Sequence, residues 1–220
     1  MNQDAAPRSA YLAMGLTIFF WATAPLVLKY FTGVMDAWTV NGLRYIFTAL
    51  FWLPVVFARW REIPPGRNIF RDAWVPACCH MLGQAGWGLA PYYNDASVMN
   101  FVSRAAFLLT IVAGFWLLQG ERHLARRPLF WVGVAATVAG LLAMFGGGLH
   151  ANNTSAAGMG LLLWTSACWS LYSVQVRKRM GGYPASLAFG VVSLLAAPGL
   201  TVAMFVLGDW RAMFTLSTGQ

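Results

Sequence analysis

Charged side chains are scarce in this sequence: Asp, Glu, Lys and Arg make up only 10% of its 220 residues. Soluble domains carry about 25% charged residues. The hydrophobic fraction here is 59%, with 11 Trp and 15 Phe, and a soluble fold of this size cannot bury that much apolar surface. The composition therefore excludes an ordinary soluble domain and indicates a polytopic membrane protein.

Acidic residues and cysteines are also few. Seven Asp and Glu face 15 Lys and Arg, which gives a formal net charge of +8. The basic residues follow membrane topology, as shown below, so we expect no nucleic-acid partner. The three cysteines, Cys78, Cys79 and Cys168, all lie in apolar runs, which argues against a disulfide framework. Cys78, Cys79 and His80 are consecutive, and helical neighbours point about 100° apart, so we expect no metal site there.

Long apolar stretches dominate the rest of the chain, and about 20 such residues cross a bilayer as a helix. The sequence predicts an all-α membrane protein, a polytopic bundle of about seven transmembrane helices. The predicted segments are 11–31, 38–58, 73–93, 97–119, 129–149, 158–176 and 184–207.

The basic residues orient these segments, because cytoplasmic loops carry an excess of Lys and Arg. Alternate loops, at 32–37, 94–96 and 150–157, contain neither residue. We therefore predict a cytoplasmic N-terminus and an outer C-terminus. The cytoplasmic residues would be Arg8, Arg59, Arg61, Arg67, Arg71, Arg122, Arg126, Arg127, Arg177, Lys178 and Arg179.

A weak internal repeat links the first and sixth segments. The first reads WATAPLVLK from Trp21 to Lys29, and the sixth reads WSLYSVQVR from Trp169 to Arg177. A repeat unit of five helices enters the membrane in the opposite orientation the second time. Such inverted repeats are typical of many secondary transporters.

Several short motifs, in this order, resemble one known family. Trp21 and Pro25 lie in the first segment and Leu43-Arg44-Tyr45 in the second. The fourth ends in FWLLQGERH, with Gly120-Glu121-Arg122 at the cytoplasmic edge. The fifth contains GVAATVAGLLAMF, and a Trp-rich stretch follows Gly158. Together they resemble the EamA family of the drug/metabolite transporter superfamily.

The resemblance implies a division of the chain. Residues 1–10 would form a cytoplasmic N-terminal tail, 11–149 a first five-helix repeat, and 158–207 the first two helices of a second, incomplete repeat. Residues 208–220 would form a polar C-terminal tail. Family members usually have ten helices and often a proline where this chain has Leu108. We therefore expect a fragment or a natural short form, which transports poorly alone.

Ionisable residues inside membrane segments usually face the bundle interior and mark functional sites. Arg44 lies roughly 9 Å below the outer edge of the second segment, and Arg104 lies at a similar level in the fourth. We predict that both bind substrate, with snorkelling to the interface as the alternative for Arg44. Lys29, Asp36 and Asp95 lie near the same edge and are predicted to gate the path or form ion pairs, such as Arg44 with Asp95.

The third segment is the least lipid-like. His80, Gln84 and Gly88 share one helical face, which predicts either a substrate cavity or close helix packing. Trp21, Trp164 and Trp169 lie near mid-depth and either pack or line the cavity, and Trp21 joins the predicted binding residues. Glu121 is expected in an ion pair or an inner gate.

The function implied is transport of a small metabolite by alternating access, in a bacterial plasma membrane. The sequence has no G-x-S-x-G elbow, H-E-x-x-H motif or clustered acidic metal site, so we expect no enzyme activity and no cofactor. The expected partners are the lipid bilayer and a small metabolite of open class, and a homo-oligomer stays open. A non-transporting scaffold and a membrane-embedded enzyme of unknown chemistry are the alternatives.

Overall fold

In a computed structural model of the protein, residues 8–146 and 155–214 are described. Within these two ranges the secondary structure is helical, without strands. The predicted tails therefore lie partly outside the described residues. The α-helices are α1 (Arg8–Phe31), α2 (Ala37–Ala58), α3 (Ile69–Leu89), α4 (Ala96–Val102), α5 (Ala105–Leu117), α6 (Pro128–Gly146), α7 (Ala156–Met180) and α8 (Ala185–Leu207).

Four helical spans are long and apolar enough to cross a membrane: Ala10–Phe31, Ala37–Ala58, Ala96–Leu117 and Ala185–Leu207. Their large apolar side chains point outward in many places. Phe19, Phe51 and Val206, for example, are 61%, 65% and 73% exposed. Exposed apolar surface of this extent is abnormal in water and suits contact with lipid. The all-helical class expected from the sequence is confirmed, and four helices have the length and apolar character of membrane spans.

Capping residues move some helix boundaries away from the predicted ones. The third segment was expected over 73–93, but α3 begins four residues earlier, at Ile69, because Asn68 accepts a hydrogen bond from the Arg71 backbone N–H. It ends at Leu89, and a 3₁₀ turn follows over Ala90–Tyr92. Ser155 similarly caps the start of α7 through Gly158 N–H.

The fourth predicted segment, 97–119, is not one regular helix. It tightens at Ser103 and Arg104, between α4 and α5. Arg104 N–H donates to Phe101 O at 2.9 Å, an i to i−3 bond, and Ser103 Oγ donates to Asn100 O at 3.0 Å. Serine side chains that bond the nearby backbone compete with the helical ladder. Arg104 lies at this break.

Helices α2 and α8 pack together along their length and run antiparallel. Gly42, near the start of α2, lies against Met204 near the end of α8, while Val56 lies against Gly190. Tyr45 packs with Ala196, Ala197 and Leu200 in one of the buried apolar clusters. Glycines at these crossings allow the close backbone approach that membrane helices use in place of a hydrophobic driving force.

Helix α7 packs between α3 and the broken pair α4–α5. Gly83 of α3 lies against Trp169 and Gly86 against Thr165, so α3 and α7 are antiparallel. Ser170 Oγ donates to Ala106 O at 2.8 Å, and Ser166 Oγ reaches Val102 O at 3.5 Å. The Ser170 contact lies four residues further along the sequence than the Ser166 contact on both sides, so α7 runs parallel to α4 and α5.

Polar contacts join the helices at both ends of the bundle. At one end, Asp36 accepts from Asp209 N–H at 2.9 Å, and Ser155 N–H donates to Tyr93 O. At the other end, Arg67 donates to Asp72 at 2.6 Å and lies over the Tyr183 ring at 4.4 Å. Loops that the sequence assigns to the same membrane face therefore lie at the same end.

Candidate functional site

A cavity of about 480 Å³ lies among α1, α2, α3, α4, α5, α7 and α8. Small-molecule sites are typically about 300–1,000 Å³. All five residues predicted to bind substrate line it: Trp21, Arg44, His80, Gln84 and Arg104. The other lining residues are Ala24, Tyr45, Thr48, Trp52, Trp87, Asn100, Ser103, Ala106, Phe107, Thr110, Trp169, Tyr172, Ser173, Phe189 and Ser193.

Arg44 is held in place by a polar relay that reaches across to α3. Its Nη1 donates to Asn41 Oδ1 at 3.3 Å, and Asn41 Nδ2 donates to Gln84 O at 2.9 Å. Asn41 is only 1% exposed. The bond to Asn41 is the one described hydrogen bond of the guanidinium, which has five N–H donors.

The suggested ion pair between Arg44 and Asp95 does not form. The described residues contain two ion pairs, Arg59–Glu62 and Arg67–Asp72, and both lie outside the cavity. Asp95 precedes α4 without a side-chain cap hydrogen bond. No carboxylate appears among the lining residues, so the described part of this cavity carries two cationic groups and no acidic one.

Arg104 lies at the break between α4 and α5. Its side chain is exposed, and it makes no hydrogen bond or ion pair with the described residues. A cation that lines a cavity without a partner is available to a ligand or to water.

His80 and Tyr45 form the most buried polar contact of the cavity. Tyr45 Oη lies 2.7 Å from His80 Nε2, and the imidazole stacks on the Tyr172 ring with centroids 4.9 Å apart. The other ring nitrogen, Nδ1, is buried without a partner among the described residues.

Three more buried polar atoms of the lining lack a described partner: Gln84 Oε1, Trp169 Nε1 and Ser193 Oγ. A buried polar group without a hydrogen bond is costly, by about 1–3 kcal/mol. With His80 Nδ1, four such atoms therefore gather around one cavity.

Aromatic rings form much of the wall. The Trp169 ring lies 5.1 Å from Trp87 and 6.1 Å from Trp21, centroid to centroid. Trp164 is half exposed and does not line the cavity; its Nε1 donates to Leu82 O at 3.4 Å. Of the three mid-depth tryptophans, Trp21 and Trp169 line the cavity and Trp164 does not.

The polar face predicted on the third segment divides between the two expected roles. His80 and Gln84 line the cavity. Gly88 instead packs against Asn41, as Gly83 and Gly86 pack against α7. On α3, therefore, His80 and Gln84 line a cavity, while the glycines allow close helix packing.

The predicted gating residues contact backbone groups more than each other. Lys29 Nζ donates to Pro91 O at 2.8 Å and to Asn94 O at 3.0 Å. Asp36 caps α2 by accepting from Trp38 N–H and Thr39 N–H at 2.9 and 3.0 Å.

The remaining predicted gate residue, Glu121, belongs to a 3₁₀ segment, Gln119–Arg126. Its side chain lies outside the described part of the structure.

Burial alone raises the pKa of Asp36, which lies outside the membrane-spanning helices. Hydrogen bonds from the Thr39 side chain and backbone, and from the Asp209 and Trp38 backbones, outweigh that effect and hold the pKa below its ordinary value of 3.8. Asp36 is therefore a charged, structural cap at this end of the bundle.

Sequence reasoning missed Asn41, Ser193 and most of the aromatic wall. Asn41 had a signal, because a polar residue one turn before a membrane arginine is a natural partner for it. Ser193 had none, since a serine in a membrane helix ordinarily bonds its own backbone. Comparison with protein-family models, curated proteins and solved structures gives no match to this chain.

Proposed function

We propose that this protein is an integral membrane transporter of the drug/metabolite type, which moves a small metabolite by alternating access. The observation that carries the proposal is the cavity midway along the bundle, with Arg44, Arg104 and four unpartnered buried polar atoms in its lining. Transporters bind their substrates at such mid-depth sites between helices.

Seven membrane segments with a cytoplasmic N-terminus are part of this proposal. This topology requires α2 and α8 to be antiparallel, α3 and α7 to be antiparallel, and α5 and α7 to be parallel. The helices pack in these directions. The basic loops of Arg67 and Arg179 also meet at one end, where Arg67 donates to the Arg179 carbonyl. In a bacterial plasma membrane that end would face the cytoplasm.

The EamA-like inverted repeat is supported by two contacts. The repeat pairs α1 with α7 and α2 with α8, and a pseudo-two-fold axis brings equivalent elements together. Helices α2 and α8 pack along their length, and Trp21 and Trp169, which the repeat equates, have ring centroids 6.1 Å apart.

Alternating access needs contacts at each end that can open in turn. At the outer end these would be Lys29 with the Pro91 and Asn94 carbonyls, and Asp36 with Asp209 N–H. At the inner end, Asp72 accepts from both Arg67 and the Tyr183 hydroxyl.

The test is uptake into proteoliposomes that contain the 220-residue protein. A ¹⁴C-labelled mixture of small cellular metabolites is offered, and retained label is measured over time. We expect slow retention by the wild type that is lost in Arg44→Leu and kept in Arg61→Gln, whose arginine is exposed and outside the cavity. Equal retention by empty liposomes would overturn the proposal.

A further inference from the structure

The charge balance of the cavity is uneven. Arg44 and Arg104 line it, and no Asp or Glu appears among its described lining residues. Asp36 accepts from four groups at the end of the bundle instead. A guanidinium in a low-dielectric site is costly without a counter-charge, so a bound anion would offset a cost that the protein itself leaves open.

Hydrogen-bond donors outnumber free acceptors in the same lining. An arginine has five N–H donors, and Arg44 uses one described bond while Arg104 uses none. Trp169 Nε1, a donor only, is also buried and unpartnered. Gln84 Oε1 only accepts, while His80 Nδ1 and Ser193 Oγ can donate or accept. The two arginines therefore still leave donors in excess. This balance suits oxyanions, which only accept, and disfavours ammonium groups, which only donate.

Aromatic rings form part of the cavity wall. Trp87 and Trp169 lie with ring centroids 5.1 Å apart, and Trp52, Phe107 and Phe189 also contribute to the lining. Stacking of an aromatic side chain on a planar ligand contributes about 0.5–1.5 kcal/mol per ring pair, in addition to the burial of apolar area. A volume of about 480 Å³ accommodates a ligand of one or two rings.

We propose that the cavity binds an aromatic organic anion that carries no ammonium group. Its carboxylate or other oxyanion lies at Arg44 and Arg104, and its ring lies against Trp87 and Trp169. The inference rests on the proposed function, because it names the substrate class of that same site. It also excludes zwitterionic amino acids, since the described lining offers no carboxylate for their ammonium group.

A matched set of four indole compounds tests the charge preference on the purified protein in nanodiscs. Indole-3-acetate is the anion, indole-3-acetamide is neutral, tryptophan is zwitterionic and tryptamine is a cation. Isothermal titration gives each dissociation constant, with empty nanodiscs as the control for partition into lipid. We expect indole-3-acetate to bind at least about tenfold more tightly than the other three, from one charge-assisted hydrogen bond.

Two variants locate the binding. Arg104→Gln removes a cation that has no described partner, so the fold should be unaffected, and affinity for indole-3-acetate should fall about tenfold to hundredfold. Arg61→Gln is the matched control and should bind as the wild type does. Thermal unfolding of both variants verifies that they are folded.

Each outcome bears on the inference. Similar affinities for the acetate and the acetamide, tighter binding of tryptophan or tryptamine, an unaffected Arg104→Gln, or no binding of indole-3-acetate would each overturn it. Tight binding of the anion without uptake into proteoliposomes would support the inference while the transporter proposal fails. Uptake of a cation or zwitterion would support the transporter proposal and overturn the inference that the site prefers anions.

Discussion

At the scale of single residues, the guanidinium of Arg44 has a geometry that lysine cannot reproduce. Its Nη1 is engaged by Asn41, and the planar fork still presents paired donors to the cavity. Lysine keeps the charge but loses two-pronged recognition of a carboxylate. We expect Arg44→Lys to bind indole-3-acetate about tenfold more weakly, measured by isothermal titration.

The companion variant Arg44→Leu separates binding from membrane insertion. Insertion scales assign a central arginine a penalty of roughly 2.5–3.5 kcal/mol, and less near the interface. Arg44→Leu should therefore insert at least as well as the wild type, measured by carbonate extraction, and should lose anion binding and uptake. Full uptake by this variant would mean that Arg44 only snorkels.

Asp36 gives a prediction for pH. Because its folded pKa lies below the ordinary 3.8, the charged form is stabilised by folding. That stabilisation is complete above the ordinary pKa and is lost as pH falls through the folded value. The thermal unfolding midpoint should fall in this acid range, and the fall should be smaller in Asp36→Asn.

The control for Asp36 is Asp95→Asn. Asp95 occupies the equivalent position before α4 but makes no side-chain cap hydrogen bond. Its replacement should leave the acid-dependent fall in the unfolding midpoint as large as in the wild type. A fall that is equally reduced in both variants would show that the Asp36 cap is not its source.

At the scale of helices, the contact of α3 with α7 depends on small residues. A Cβ at Gly83 would lie 2.7 Å from Trp169 Cδ1, closer than such atoms approach. Gly83→Leu should lower the free energy of unfolding by about 1–3 kcal/mol or more through overpacking. It should also weaken ligand binding, because Trp169 lines the cavity. Thermal unfolding in detergent and titration measure the two effects.

Gly160 provides the control within α7. Nothing lies within 4 Å of a Cβ built there, and leucine is a better helix former than glycine. Gly160→Leu should therefore unfold at the wild-type temperature or above it. If both leucine variants had the same stability, the close approach at Gly83 would not be the determinant of α3–α7 packing.

The helices themselves were largely predictable from the sequence, because about 20 apolar residues between polar loops leave the backbone few alternatives in a bilayer. The break in the fourth segment was not. Ser103 lies at the break and bonds the backbone of Asn100, but Ser173 makes a similar bond to Trp169 O inside an unbroken helix. Ser170 bonds both its own helix and a neighbouring one. Which choice a serine makes depends on tertiary neighbours that periodicity does not contain.

At the scale of the whole molecule, the membrane arginines and the polar face of the third segment, which the sequence singled out separately, line one cavity. The cost of burying Arg44, His80 and Gln84 in lipid forces them inward, and that argument needs only the sequence. The partners were not predictable. Lys29 was expected among ion pairs but bonds carbonyls of the Ala90–Tyr92 turn region, and the position of that turn follows from the fold.

Topology is the prediction that belongs to the complete chain. The structure places the 59–72 and 179–186 regions at one end, through Arg59 with Ser186 at 2.6 Å and Arg67 with the Arg179 carbonyl. Basic residues concentrate there, and arginine-rich loops are retained in the cytoplasm. Reporter fusions at residues 65, 125 and 180 should therefore report cytoplasm, and a fusion at residue 153 should report the outside.

Labelling at the ends of α2 and α8 tests helix packing as well as the orientation of the chain in the membrane. Asp36 and Asp209 are joined at the opposite end, so thiol labels at Asp36→Cys and Asp209→Cys should react from the same, outer side of intact cells. Cys78, Cys79 and Cys168 must first be replaced by alanine. A chain inserted the other way round would label both positions from inside and give cytoplasmic signal at residue 153. Labelling from opposite sides would contradict the fold itself, because Asp36 precedes α2 and Asp209 follows α8. The two helices could then not run antiparallel, and the cavity that they help to form would not exist.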